Sequence, residues 1–395
     1  MSNIRNVGDL LDHAHDERSR QSFVSAFRKR ILMDVATDMK TVYDKKVEPK
    51  FVKKHGRKPK DALEVRAAMR REPVFEGWSS MRYNAQIMTW WSVQPAVERQ
   101  LNELIQAARD ARDANPAGGT LELDPNVVIP REVTDLDVHH MPGCFHTEYA
   151  DDDVAQGAVY HYGTQVFYGG FGKDVKPKGD VAMSIANYLK LAYPDLKPQR
   201  ILDLGCTAGA NTFPYKQVYP DAEVHGIDVG APVLRFGHAW AEAEGIQMHY
   251  HQRNAETPGF PDNHFDIITS SFFFHELAVP TTKRVLKECY RMLKPGGIML
   301  HMELPPTEVT ETYYNFVLDW DGFYNNEPHY QKFRNLDFTK TLVGAGFAED
   351  KLEMIRIPNY GSTPREEFTA VAQGDATLKR EHGLGRVWFT FGGRK

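Results

Sequence analysis

The sequence predicts an α/β protein: a doubly wound parallel sheet with an N-terminal helical extension. Three observations carry that expectation. From Arg200 onward, short β-rich runs alternate with helical ones, the pattern of a parallel sheet covered on both faces. From about Val7 to Ala114 apolar residues recur at helical spacing, as in VSAFRKRILMDVATDM and VERQLNELIQAARDARD, with breaks expected at Pro49, Pro59 and Pro73. Between the two, residues 115–179 are punctuated by glycine and proline in NPAGG, HHMPG and YGTQVFYGGFG, and they read as connection and loop with short strands.

The elements of the second half follow in order. RILDLG (200–205) reads as a buried strand, TFPYKQVYP as its helix, AEVHGID (222–228) as a second strand, APVLRFGHAWAEAEG as the next helix and IQMHYHQ (246–252) as a third strand. FDIITSSFF (265–273) is the fourth strand, TTKRVLKECYRMLKPGG a helix stopped by Pro295-Gly296-Gly297, and GIMLHMEL (297–304) the fifth. FAEDKLEMIRI and RVWFTFGG read as a final strand pair.

At 395 residues the chain has room for two folding units, expected over 1–150, as a substrate cap or dimerisation unit with linker, and over 151–395. No apolar run approaches the roughly 20 residues of a membrane span, and the first 20 residues lack the apolar core of a secretion signal, so a cytoplasmic protein without a membrane span is expected. Cys144, Cys206 and Cys289 are too few and scattered for a disulfide framework, and no CxxC or His-x-x-x-His spacing suggests a metal cage. Neither disulfides nor a metal are expected. Residues 1–71 carry 18 Lys and Arg against 10 Asp and Glu, and the remainder 30 against 43, for a net charge of -5. The basic stretch KKVEPKFVKKHGRKPK lacks interleaved aromatics, so it reads as a solvated face rather than a nucleic-acid site.

The stretch ILDLGCTAGANT (201–212) carries the chemistry. A strand ending at Asp203-Leu204, then a glycine turn and a helix, delivers a ligand to the carboxyl end of a sheet across Gly205 and Gly209. A triphosphate loop would need Gly-Lys-Ser/Thr where this chain has Gly209-Ala210-Asn211. Asp228 closes the second strand, where a carboxylate can accept both ribose hydroxyls. These features fit NAD and S-adenosylmethionine equally. Asp203 breaks the tie, because an acid beside the turn repels a pyrophosphate and suits an amino group and a sulfonium.

From about Arg200 to Glu303 the chain resembles the class I S-adenosylmethionine-dependent methyltransferases, nearest the branch with quinone-biosynthesis and other small-molecule enzymes. DLGCTAG is similar to that family's D/E-x-G-x-G-x-G, with Thr207 in place of the middle glycine; HGID ends in the ribose acid Asp228; Asn254-Ala255-Glu256 resembles the adenine turn; and FDIITSSFFFHEL with RMLKPGGIML matches the fourth strand and the following turn. The resemblance implies a Rossmann-like, seven-stranded sheet and S-adenosyl-L-methionine as cofactor. It would be held by Asp203, Gly205, Cys206, Thr207, Gly209, Asp228, Val229, Asn254, Ala255, Glu256 and Ser270, with Tyr162, from the aromatic group before the first strand, over its methionine end.

Methyl transfer needs an acceptor placed in line at about 3 Å with water excluded, and a base only if the acceptor must lose a proton. His275, just past the fourth strand, is the expected base, with Glu276 orienting it or the substrate; His301 and Glu303, ending the fifth strand, are the reserve pair. The aromatic segment ETYYNFVLDWDGFYNNEPHYQKF (311–333) lies where this family inserts a substrate cap, so Tyr313, Tyr314, Trp320, Tyr324 and His329 are expected to line the acceptor pocket. The expected reaction is methylation of a small aromatic or apolar metabolite, with oxygen favoured over nitrogen, sulfur or carbon. The N-terminal helical unit would complete the lid or form a homodimer interface. The rival readings are an NAD-dependent oxidoreductase and a non-catalytic binding module on the same fold.

Overall fold

A computed structural model describes residues 4–169, 179–374 and 387–395. Its sheet contains β1 (Thr120–Glu122), β2 (Arg200–Leu204), β3 (Glu223–Asp228), β4 (His249–Gln252), β5 (Phe265–Ser271), β6 (Leu293–Glu303), β7 (Leu352–Pro358) and β8 (Val387–Arg394), in the spatial order β1-β4-β3-β2-β5-β6-β8-β7. The pairs from β1 to β6 are parallel, and β8 runs antiparallel between β6 and β7. The order reverses between β2 and β5, so a crevice opens at the carboxyl ends of the central strands.

The strand sequences explain why both faces are covered. Along β2, Ile201 packs into one apolar core while Leu202 and Leu204 pack into another. Along β6, Ile298, Leu300 and Met302 join the first core and Met299 the second. Side chains alternate across a strand, so a strand with apolar residues at successive positions buries both faces.

The N-terminal helices are continuous with that architecture. Val7, Val24, Trp90, Val97 and Leu104 share the first core with β2 and β6, and β1 adds an eighth, edge strand to the seven expected. A third core joins Val65, Phe75 and Trp78 to Tyr313 and Phe316 of the cap helix Thr312–Tyr324. Helices end before Pro59 and begin at Pro73 as expected, but Pro49 breaks nothing. It comes just after the π-helical stretch Tyr43–Val47, inside a helical run that continues into Glu48–His55 with Val47 itself in αR geometry.

One stretch expected to be loop is a helix, Ala155–Tyr168; the rest of YGTQVFYGGFG, residues 170–172, lies outside the described residues. Its glycines are packing contacts rather than breakers. A Cβ on Gly163 would stand 2.5 Å from the Trp90 ring, and one on Gly157 would overlap the Phe236 side chain, so glycine lets these helices close together. No helix among the described residues is long and apolar enough to cross a membrane.

Candidate active site

The crevice is a cavity of about 550 Å³ running from the glycine turn to the cap. At its floor the chain leaves β2 through Gly205 (φ +63°), Thr207 (φ +47°) and Gly209 (φ +86°). Gly205 lines the cavity, and a Cβ there would lie 3.1 Å from Phe273 Cε2 and closer still to its Cδ2. Thr207 holds a left-handed conformation where the family pattern has glycine, at a cost of roughly 1–2 kcal/mol. Gly209 is not on the cavity wall; its Cβ would strike the Tyr250 hydroxyl, so this glycine serves the turn's packing rather than a ligand.

Asp228 closes β3 and is 9% exposed. Its Oδ2 accepts the Thr207 N–H at 3.1 Å and its Oδ1 the Gly230 N–H at 2.9 Å, which ties the second strand to the turn. Burial raises its pKa against the pull of those donors. Val229, Asn254, Ala255 and Glu256 continue the same wall, as do Cys206 and Thr207. The 254–256 turn is internally braced, because Asn254 Oδ1 accepts the Glu256 N–H at 2.8 Å.

Asp203 lines the cavity floor at 2% exposure and accepts the Thr212 hydroxyl at 2.6 Å. Burial, with a contribution from Asp228, pushes its pKa up to about 7. The unfolded carboxyl titrates near about 3.9, so the unfolded state releases this proton first as pH rises. Asp203 therefore subtracts stability progressively from about pH 4 to pH 7. Asp203→Asn removes the penalty, and its stability relative to wild type should improve between pH 5 and pH 8 in urea unfolding. An offset independent of pH would show that the buried carboxyl is not its cause.

His275 and Glu276 occupy the short turn Phe274–Glu276 after β5, and both line the cavity. Glu303, fully buried at the end of β6, accepts the Phe274 N–H at 2.6 Å and faces His275 Nδ1 at 2.6 Å, while His275 Nε2 lies 3.3 Å from Glu276 Oε1. Burial would lower the His275 pKa, but the carboxylates of Glu303 and Glu276 outweigh it and hold the ring well above the ordinary imidazole range. The two carboxylates favour the charged ring, which weighs against the expected base role of His275.

The reserve pair, unlike His275 and Glu276, is off the wall. His301 is fully buried, its Nδ1 2.9 Å from Ser270 Oγ and its ring between Phe274 and Phe391, and burial lowers its pKa to about 3. Ser270 is buried with it; the neighbouring Ser271 reaches the cavity instead, because successive strand residues face opposite sides. Glu303 acts beneath the surface as the strap on His275.

Helix periodicity sorts the remaining aromatics. On Thr312–Tyr324, Tyr314, Leu318 and Asp321 face the cavity, whereas Tyr313, Trp320 and Tyr324 turn to the N-terminal helices. There Tyr313 packs on Tyr43, Trp320 lies under the Arg66 guanidinium and Tyr324 meets Trp78 edge-on. Residues three and four apart share a face, so only Tyr314 of the expected set can line the pocket. His329 precedes the helix Tyr330–Arg334 and is off the wall, which Tyr330 supplies. On Ala155–Tyr168 the same rule puts Tyr160, Thr164 and Phe167 on the cavity. Tyr162 faces away: its hydroxyl donates to the Val7 carbonyl at 2.8 Å and accepts the Leu11 N–H at 3.0 Å.

Several wall residues come from the N-terminal unit, expected as a lid or dimer interface, and from the connection that follows it. The long helix Pro73–Arg99 contributes Arg82, Gln86 and Trp90, so the N-terminal helices complete the cavity. His139, in the HHMPG stretch, holds a left-handed φ of +56°, with Nδ1 2.9 Å from Glu327 Oε1 and Nε2 3.3 Å from Glu276 Oε1. Paired histidines in a Gly/Pro-rich connection were the available signal.

Residues 201–297 match the family model described as "Methyltransferase domain". The chain is similar to a demethylmenaquinone methyltransferase of Thermus thermophilus, 38% identical over 109 residues that make up 28% of this chain and 49% of that protein. It is also similar to the ubiquinone/menaquinone biosynthesis C-methyltransferase UbiE of Vibrio parahaemolyticus, 38% identical over 108 residues, 27% of this chain and 41% of the relative. The matches thus span less than half of either relative. Among solved structures, phosphoethanolamine N-methyltransferase 2 of Haemonchus contortus, in complex with S-adenosyl-L-methionine, is 18% identical over 57% of this chain and 55% of that one, with a TM-score of 0.38. Residues 201–297 are accordingly similar to a methyltransferase domain and to part of these quinone-biosynthesis methyltransferases.

Proposed function

We propose that the chain is an S-adenosylmethionine-dependent methyltransferase acting on a small acceptor with an apolar body and at least one oxygen. The observation that carries this is one cavity whose lining joins the glycine turn and Asp228 to aromatic and charged side chains of the cap and N-terminal helices. The cradle fits the cofactor: the bare Gly205 backbone admits close approach, and Asp228 keeps a carboxylate on the wall while its backbone donors fix its orientation. Ile227, Val229 and Ala255 offer apolar surface for a base. The cofactor, when bound, supplies a methyl activated by a sulfonium. The chain's own residues would hold, orient and desolvate: of the cavity-lining side chains, Tyr160, Phe273, Trp90, Tyr314 and Tyr330 would enclose an apolar acceptor, and Gln86 and Glu276 would give it polar anchors.

Oxygen is the acceptor atom expected from the residues, whereas the Vibrio relative is named a C-methyltransferase. We favour carbon, on a ring activated by a neighbouring hydroxyl, because the proton such a ring must lose needs only a weak acceptor, for which the Glu276 carboxylate on the cavity wall would serve while His275 Nδ1 stays engaged by Glu303. The cap role of the N-terminal helices belongs to the same proposal and is supported by the Pro73–Arg99 helix on the cavity wall, whereas β1 pairs within the main sheet and so ties residues before 150 to it.

The test is incubation with methyl-labelled cofactor and a panel of hydroxylated naphthalenes and benzenes, with products assigned as C-methyl or O-methyl by NMR. Asp228→Ala should weaken S-adenosylhomocysteine binding by about 1.5–3 kcal/mol, the range for hydrogen bonds to a charged acceptor. A folded variant with unchanged calorimetric affinity would remove Asp228 from the site, and wild type that binds NAD in its place would overturn the reading.

A further inference from the structure

We infer that His139, Glu276 and Glu327 form a binding site for one divalent first-row metal ion on the wall of this cavity. The three residues come from three parts of the chain: the connection after the N-terminal helices, the turn after β5 and the loop after the cap helix. One ligand atom from each lies within 4.8 Å of the other two, and all three residues line the cavity. Bonds of about 2.0–2.2 Å would close that span with small side-chain movements.

A second observation points to a cation at the same place. Asn325 is 8% exposed and lines the cavity; its Nδ2 lies 2.7 Å from His139 Nδ1 and also donates to Glu327, while its Oδ1 has no partner. The amide can sit either way round. One way orphans a buried oxygen. The other turns that oxygen against the Glu327 carboxylate, which repels it unless a cation lies between them. Glu276 Oε1 is also buried with no aligned donor, although two imidazoles stand 3.3 Å away.

The charge count agrees. Glu276, Glu303 and Glu327 bring three carboxylates to a space faced by the imidazoles of His139 and His275. Arg82 and Asp321 neutralise each other at its edge, and His329 stands behind Glu276. Three carboxylates against two imidazoles leave this buried space rich in negative donors, which a divalent cation would offset.

One imidazole, two carboxylates and an amide oxygen make a borderline-to-hard donor set, suited to Mn²⁺, Fe²⁺ or Zn²⁺. The cavity side stays open for an oxygen of the acceptor. That use of the ion rests on the methyltransferase reading; its binding does not.

The full chain, stripped with chelator and titrated with Mn²⁺ alone, should take up one ion per chain by equilibrium dialysis, with Zn²⁺ competing. His139→Ala and Glu327→Gln should each weaken binding by at least about 10-fold while circular dichroism and S-adenosylhomocysteine affinity stay at wild-type level. Absence of saturable Mn²⁺ or Zn²⁺ uptake at millimolar ion overturns the site, as does undiminished binding in both variants. If either variant fails to fold, paramagnetic broadening of the His139 ring signals by Mn²⁺ in wild type decides the matter: broadening supports the site and its absence refutes it. Ion binding without S-adenosylhomocysteine binding would sink the methyltransferase reading and leave this site standing.

Discussion

Gly205→Val is expected to reduce S-adenosylhomocysteine affinity by at least about 100-fold, because two costs fall on one position. The residue sits at φ +63°, where a β-branched side chain is strained by about 1–3 kcal/mol. Its Cβ and methyls would also enter the space held by the Phe273 ring, which lines the same cavity. Phe273 must then swing into the cradle or the turn must open, and either movement displaces the ligand. Gly205→Ala should lose less, since it carries the strain and only one carbon of the clash. Calorimetry with both variants, alongside far-UV circular dichroism to show the fold intact, separates the effects. Wild-type affinity in a folded Gly205→Val protein would mean that the ligand does not cross this turn.

The contrast between Gly205 and Gly209 shows what the sequence could and could not carry. Both glycines belong to the same motif and both have positive φ, yet only Gly205 lines the cavity while Gly209 makes room for Tyr250. A motif records that a side chain is excluded, not what excludes it. The strands of the second half were legible because β2, β5 and the end of β6 carry apolar runs bounded by turn residues, with helices following β2, β3 and β5. The helix Ala155–Tyr168 was not, because Gly157 and Gly163 look like breakers until Phe236 and Trp90 are seen against them. For the same reason the cap was legible as a segment but not as a face. Composition puts Tyr313 and Tyr314 on an equal footing, and only the packing of the cap helix on Phe75 and Tyr43 turns one away from the cavity. His139 and Glu327 lie 188 positions apart and meet only because the connection and the cap loop close over the same turn.

The second large effect is expected at Glu303, which never touches the cavity. The carboxylate is fully buried, accepts the backbone N–H groups of Phe274 and His275 at 2.6 and 3.3 Å, and faces His275 Nδ1 at 2.6 Å. It therefore fastens the turn that presents Glu276 to the end of β6. Glu303→Ala strands a charged imidazole and two backbone donors in the core and should destabilise the fold by about 3–5 kcal/mol, the usual cost of removing one partner of a buried pair. Glu303→Gln keeps an acceptor for the backbone and loses only the charge, so its cost should fall to about 1.5–3 kcal/mol. Methyl transfer should collapse in the alanine variant even where it remains folded at low temperature, because Glu276 then moves with an unfastened turn. S-adenosylhomocysteine affinity should hold, since Asp228 and Gly205 lie on other strands. Urea unfolding at neutral pH ranks the three proteins. An alanine variant as stable as wild type would show that His275 is not charged in the fold, and would return it to the role of a free imidazole on the cavity wall.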